Sequence, residues 1–174
     1  YDNEDQLERV IWAYNGKVGE EKAKGTSISI NGYSYIATDS YEKSPNSLDI
    51  AIAAGTAVGL NEDDVNTPIN LEDRAKVELT YADSVNEDGS TRHSFISGDI
   101  LSAYDGLVDI KPKDASNAGI NIEGNLLAGN NGIVNVDLGN GGTLTGRADD
   151  YGDSGVESLN GGHQNMTFFD PAFS

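Results

Sequence analysis

The sequence predicts an all-β fold: a right-handed single-stranded parallel β-helix of six to seven coils filling one domain. Three observations carry this. First, Ile96-Ser97-Gly98-Asp99-Ile100, Ile122-Glu123-Gly124-Asn125-Leu126 and Leu144-Thr145-Gly146-Arg147-Ala148 all read apolar, polar, Gly, polar, apolar. Their spacings are 26 residues (122 minus 96) and 22 (144 minus 122), inside the range of about 20 to 50 that marks stacked repeats. Second, the first two copies are followed at one offset by Asp105-Gly106-Leu107-Val108-Asp109-Ile110 and Asn131-Gly132-Ile133-Val134-Asn135-Val136, so each repeat holds more than one strand. Third, Val108 and Ile110, like Val134, Val136 and Leu138, alternate with polar residues. That period of two belongs to strands with one face inward. The Asp-Gly and Asn-Gly pairs are expected to supply positive φ at sharp corners.

In chain order, Leu7, Val10, Ile11 and Tyr14 fit a helix by spacing. A strand is favoured, because Ala13-Tyr14-Asn15-Gly16-Lys17-Val18 repeats the form of Ala103-Tyr104-Asp105-Gly106-Leu107-Val108. The first coil is placed near Arg9. Residues 19–25 read as a charged turn, and strands over 26–30 and 33–38 flank Asn31-Gly32, a corner or hairpin dipeptide. Leu48, Ile50, Ile52 and Ala54 alternate with Asp49, Ala51 and Ala53. Those small outer residues suggest a strand covered on both faces. Val77, Leu79 and Tyr81 alternate with Glu78 and Thr80, and residues 39–47, 61–68 and 83–94 read as polar excursions. Strand starts near Ile28, Ile50, Val77, Ile96, Ile122 and Leu144 are counted as successive coils, giving regular coils over about 9–150. Residues 151–162 read as loop, and Phe168, Phe169 and Phe173 as an apolar tail, so 151–174 lies outside the coils.

Eleven basic and 29 acidic side chains give a formal charge of −18, which repels nucleic acid and anionic lipid. Neither is an expected partner. With no Cys, there is no disulfide or Cys-based metal site. No 18-residue apolar span or signal peptide is present, so no direct membrane insertion is expected. Lacking an initial Met, the chain reads as a fragment of something longer, whose open coil ends favour end-to-end self-association.

Ile11-Trp12-Ala13-Tyr14, the run from Ser44 to Val58, Gly124-Asn125-Leu126-Leu127-Ala128-Gly129-Asn130-Asn131-Gly132 and Leu144-Thr145-Gly146-Arg147-Ala148-Asp149-Asp150-Tyr151 resemble passenger segments of bacterial type V autotransporters. The resemblance spans most of the chain. It implies a β-helix exported through an outer-membrane barrel to the cell surface. The barrel's own strands are absent, placing this piece inside the passenger.

Chemical motifs are sparse. Gly152-Asp153-Ser154-Gly155 matches the nucleophile signature of chymotrypsin-like proteases, with His93 and Asp109 upstream in order. That fold needs two antiparallel barrels, so the motif is read as a turn, and no catalytic residue is assigned. Asn61-Glu62-Asp63-Asp64 and Asp149-Asp150-Tyr151-Gly152-Asp153 concentrate oxygen ligands without EF-hand spacing, and Gly139-Asn140-Gly141-Gly142 lacks the Asp of the calcium nonapeptide repeat. They read as solvated acidic loops, with adventitious calcium as the alternative and no cofactor expected. His93 and His163 are isolated and expected to be exposed. Arg74, Lys76, Arg92, Lys111, Lys113 and Arg147 share no coil position, which weakens a pectate-lyase-like reading.

The expected function is therefore a non-catalytic stalk or adhesin segment at the bacterial surface, with a host or neighbouring-cell protein or glycan as partner. The alternative is a polysaccharide-binding or polysaccharide-cleaving β-helix using Tyr33, Tyr35 or Tyr41 as stacking platforms.

Overall fold

A computed structural model of the chain describes residues 7–14, 17–18, 21–22, 25–38, 48–55, 74–103, 105–129, 132–151, 155–160 and 163–166. Among them every regular element is a strand. Their order is β1 (Leu7–Ala13), β2 (Lys17–Val18), β3 (Glu21–Lys22), β4 (Ser27–Gly32), β5 (Tyr35–Ala37), β6 (Leu48–Ala54), β7 (Ala75–Tyr81), β8 (Ser84–Val85), β9 (Thr91–Arg92) and β10 (Ser94–Ser97). They continue as β11 (Asp99–Ala103), β12 (Gly106–Pro112), β13 (Ile120–Glu123), β14 (Leu126–Gly129), β15 (Ile133–Asp137), β16 (Thr143–Gly146), β17 (Ala148–Tyr151), β18 (Gly155–Asn160) and β19 (His163–Met166).

Fifteen of these strands form three five-stranded sheets, each parallel throughout. Sheet I runs β1-β6-β11-β14-β17, sheet II β4-β7-β12-β15-β18, and sheet III β5-β10-β13-β16-β19. In chain order the backbone visits I, II and III and then starts again, five times among the described residues. β2–β3 and β8–β9 are antiparallel two-stranded ladders outside this cycle.

The register stacks like on like. In sheet III, Ile36, Ile96, Ile122 and Leu144 are successive partners, and in sheet I Ile11, Ile52, Ile100, Leu126 and Ala148 are. Sheet II aligns Ile28, Val77, Val108 and Val134, with Ile30, Leu79, Ile110 and Val136 beside them. These columns form the core, where Ile52, Ile96, Ile100, Ile122, Leu126 and Leu144 are fully buried. Each such side chain contributes about 1.5–3 kcal/mol of apolar burial. Sheet I is buried on its other face as well at Ala51, Ala53 and Leu127, as the small residues of its second strand suggest.

The recurring Gly occupies the corner from sheet III to sheet I. There the ladder continues through Gly98 N to Glu123 O (3.0 Å) and Gly124 N to Thr145 O (2.9 Å). The stacked corners lie so close that a Cβ on Gly124 would sit 2.0 Å from the Gly98 carbonyl oxygen. The polar residue after each Gly also has a task. Asp99 Oδ1 accepts from Asn125 N (2.9 Å), and Asn125 Oδ1 from Arg147 N (3.2 Å), so side chains satisfy amides at the bend.

Four sequence expectations are corrected. Positive φ at the corner into β12 belongs to Asp105 (67°), while Gly106 is required because a Cβ would meet Ala54 O at 2.2 Å. Val18 is not the counterpart of Val108: β2 pairs antiparallel with β3, and the residue in register with Val108 through Val77 is Ile28. The strand starts behind the count of six to seven coils mix sheets, since Ile28 and Val77 lie in sheet II, Ile50 in sheet I and the other three in sheet III. Pairing also continues beyond 150, where β18 aligns with β15 and β19 with β16 inside the stretch expected to be loop and tail. The loops at 39–47 and 61–68 and the tail from Phe168 onward lie outside the described residues.

Adjacent positions on β13 test the register. Ile122→Asp buries an unpaired charge and is expected to cost about 3 kcal/mol or more, whereas outward Asn121→Asp costs within about 0.5 kcal/mol. Urea denaturation midpoints measure the difference, and equal midpoints would remove the assignment of faces.

Candidate functional site

The excursion at 83–94 is an ordered hairpin. β8 and β9 pair Ser84 with Arg92 and Val85 with Thr91, and the turn closes through Asn86 N to Ser90 O (2.8 Å) with Gly89 at φ 85°. Asp88 accepts from Ser90 N (2.9 Å), and its bonds to Ser90 hold its carboxyl below the ordinary range.

At the hairpin's base His93 meets Asp83. The imidazole Nδ1 lies 2.9 Å from Asp83 Oδ1, which also accepts from Gly119 N at 3.0 Å. One carboxylate thus ties the hairpin to the corner of the next pass. His93 is therefore partly buried and paired, not an isolated exposed loop residue. Hairpin register brings them together, since pairing Ser84 with Arg92 places Asp83 opposite His93. Beneath them Tyr81 is fully buried and its hydroxyl donates to Asp137 O (2.6 Å). Burial first, then the charges of Asp137 and Asp83, pushes its pKa above the ordinary tyrosine value.

A carboxylate that fixes one imidazole nitrogen is half of an acid–base device. The order His93, Asp109, Ser154 is not assembled around it: Asp109 lies on β12 with Lys111 Nζ at 3.4 Å, and Ser154 is outside the described residues. Among the described residues there is no group of three or more metal-ligating side chains. Asp149 and Asp150 lie in β17, while 61–64 and 152–153 fall outside the described residues, as does the side chain of His163 on β19.

Of the cations, Arg74 is buried at the sheet I to II corner, donating to Gly106 O (3.3 Å) with Asp105 nearby. Burial pushes its pKa down, and the Asp105 charge opposes that shift. Lys76 and Lys111 sit on the outward face of sheet II, each paired with an acid on its own strand. The bond from Lys76 holds the Glu78 carboxyl below its ordinary range.

The outward face of sheet III differs in kind. Tyr35 and Phe95 are register partners whose rings stack at 5.3 Å with an interplanar angle of 29°. Tyr35 is 67% exposed. Next to it Tyr33 is 36% exposed, with the Arg92 guanidinium of the hairpin 5.1 Å from its ring centroid. Further along, the same column presents Asn121 and Thr143, joined by Thr143 Oγ1 donating to Asn121 Oδ1 (2.9 Å). Ser34 N, Ser94 Oγ and Ala82 O form a buried chain of 3.0 Å bonds that fixes β5 to β10 and to the hairpin base. Tyr33 and Tyr35 were thus both legible as surface aromatics; Tyr41 lies outside the described residues.

No family model, curated protein or solved structure matches the chain. Among the described residues no helix is long and apolar enough to cross a membrane.

The Asp83 anchor is tested by Asp83→Ala, which removes its bonds to His93 and Gly119 together. Amide exchange over 84–92 is expected to accelerate at least about tenfold, from loss of a charge-assisted anchor, while core amides of β13 keep their protection. Unchanged hairpin exchange would show that the carboxylate does not hold it.

Proposed function

We propose that the fifteen paired strands are five coils of a right-handed single-stranded parallel β-helix. On this reading the rod is a non-catalytic segment of an exported autotransporter passenger, serving as stalk and adhesive surface at the bacterial cell exterior. The observation that carries the coil reading is the cyclic strand order through three parallel sheets with in-register apolar columns. Each return to a sheet is a parallel crossover, and such crossovers are right-handed in about 98% of cases. Five coils at a strand spacing of about 4.8 Å span roughly 19 Å between the first and last strand of a sheet.

Support for a non-catalytic role comes from the inward columns, which among the described residues are apolar side chains, so no polar groups converge there. Recognition then belongs to the outward face of sheet III and the hairpin beside it. The export route is supported by the resemblance to autotransporter passengers in the segments named above. The −18 charge disfavours nucleic acid and anionic lipid as partners.

Display tests the reading. Fused to a heterologous outer-membrane barrel, the chain should become cleavable by added protease on intact cells and should raise their adhesion to host or sister cells. Retention in the periplasm overturns export, and display without added adhesion overturns the adhesive part.

Among the described residues the end strands β1, β4, β5 and β17, β18, β19 each have a sheet partner on one side. Open edges of this kind template pairing with another copy. For the isolated chain we propose end-to-end association, seen as concentration-dependent mass in sedimentation equilibrium. A strict monomer at high concentration would count against it.

A further inference from the structure

We infer that the outward face of sheet III is a platform for a linear, uncharged polysaccharide, naming the ligand of the adhesive role proposed above and resting on that reading. The stacking surface is Tyr35 with Phe95, and the polar partners are Asn121 and Thr143, one and two strands further along the same column.

Ring geometry comes first. At 29° and 5.3 Å between centroids the two rings stack offset on each other, and Tyr35, 67% exposed on the end strand β5, presents the aromatic surface to solvent. The apolar face of a pyranose carries axial C–H bonds polarised by the ring's oxygens, which are attracted to the negative face of an aromatic ring. The other exposed aromatic pair is arranged differently. Trp12 and Tyr14 meet at 85°, edge to face, and the Trp12 indole N–H is already donated to Gly55 O at 2.9 Å.

The neighbouring rungs then discriminate between ligand classes. A protein hot spot surrounds its aromatic anchors with well-packed, desolvated contacts, but Ser97 on the same strand as Phe95 and Asn121, Thr143 and Thr145 on the next two face outward. These are hydroxyls and an amide, each able to donate and accept, which suits sugar hydroxyls. They recur at the strand spacing of about 4.8 Å, close to the advance of one sugar in an extended chain. A chain lying across the strands therefore meets the Tyr35–Phe95 stack and then two polar rungs in succession. Charge disfavours the remaining classes: although Arg92 lies over the adjacent Tyr33 ring, Glu123 is an acid on this face and the whole chain carries −18, which repels sulfated or uronic glycans and nucleic acid alike.

The test uses the purified full chain with cellohexaose, mannohexaose and chitohexaose as uncharged probes and a heparin hexasaccharide as the charged one, read by calorimetry. Saturable binding of at least one uncharged probe and none of heparin is expected. Tyr35→Ala should weaken binding about tenfold and Tyr35→Phe should preserve it, as expected for loss and retention of one stacked ring. Thr143→Val should weaken it about fivefold through one lost hydrogen bond, and Tyr14→Ala, off the platform, should change nothing. Because Tyr35 is on the surface, its Ala variant is expected to melt with the parent, so loss of binding reads as loss of contact. No binding of any uncharged probe, tighter binding of heparin, or binding indifferent to both Tyr35→Ala and Phe95→Ala would overturn the assignment. Sugar binding by the purified chain is independent of export, so a failed display experiment leaves it standing, and failed sugar binding leaves the display result standing.

Discussion

In-register stacking of each strand on the strand one pass earlier is the constraint on which the rest depends. Parallel ladders align identical positions of successive passes, so every outward and inward column must tolerate its own kind as neighbour. Inward this favours β-branched and Leu side chains, as in Ile36, Ile96, Ile122 and Leu144. Outward it creates a problem for an acidic chain. Glu78 and Asp109 are direct partners on adjacent strands of sheet II, a like-charge stack that is unfavourable by itself. Lys76 on Glu78 and Lys111 on Asp109 offset it, and Lys111 also acts on Glu78. Two of the chain's 11 basic residues are thus used where stacking would otherwise align two carboxylates.

Corners impose the second demand, because some backbone amides leave the ladder where passes lie close together. Two solutions appear. On the side from sheet III to sheet I, Gly removes the side chain while Asp99 and Asn125 accept from the amides of the next pass. On the side from sheet I to sheet II, the fully buried Ser102 accepts from Ile133 N (3.2 Å), and the corner is held by Arg74 beside Asp105. Buried charge is costly without a partner, so Arg74 and Asp105 each make the other tolerable. Mutating one alone leaves the other's charge in the same low-dielectric place.

The later passes were legible because their lengths are nearly constant: 26 residues from Ile96 to Ile122 and 22 from Ile122 to Leu144. Ile36 to Ile96 is 60 residues, and Ile52 to Ile100 is 48, so insertions hide the equivalence of the earlier strands. β18 was hidden differently. Its register against β15 shifts, so that Val156 partners Val134 but Leu159 partners Val136, three residues apart against two. That irregularity breaks the alternation by which a strand is recognised. The Asp83–His93 pair was illegible for a related reason: it depends on hairpin register, which neither residue announces. Tyr33 and Tyr35 could be read as surface aromatics from alternation alone, but Phe95, which stacks on Tyr35, lies 60 residues beyond it, reachable only through the sheet.

Side-chain exposure bears on the proposed role. Among the described residues the exposed large hydrophobic side chains are Val10, Trp12, Tyr14, Tyr33, Tyr35 and Val85, on or beside β1 and β5 and on the hairpin. On the outward face of sheet III the later strands present Ser97, Asn121, Glu123, Thr143 and Thr145. On the reading proposed above, a segment whose only task is spacing has no reason to expose rings, because each one forgoes burial and adds a self-association hazard. A segment that also binds does have such a reason, since recognition needs accessible aromatic surface. The exposure of Tyr33 and Tyr35 beside the anchored hairpin therefore supports the proposed binding role over spacing alone.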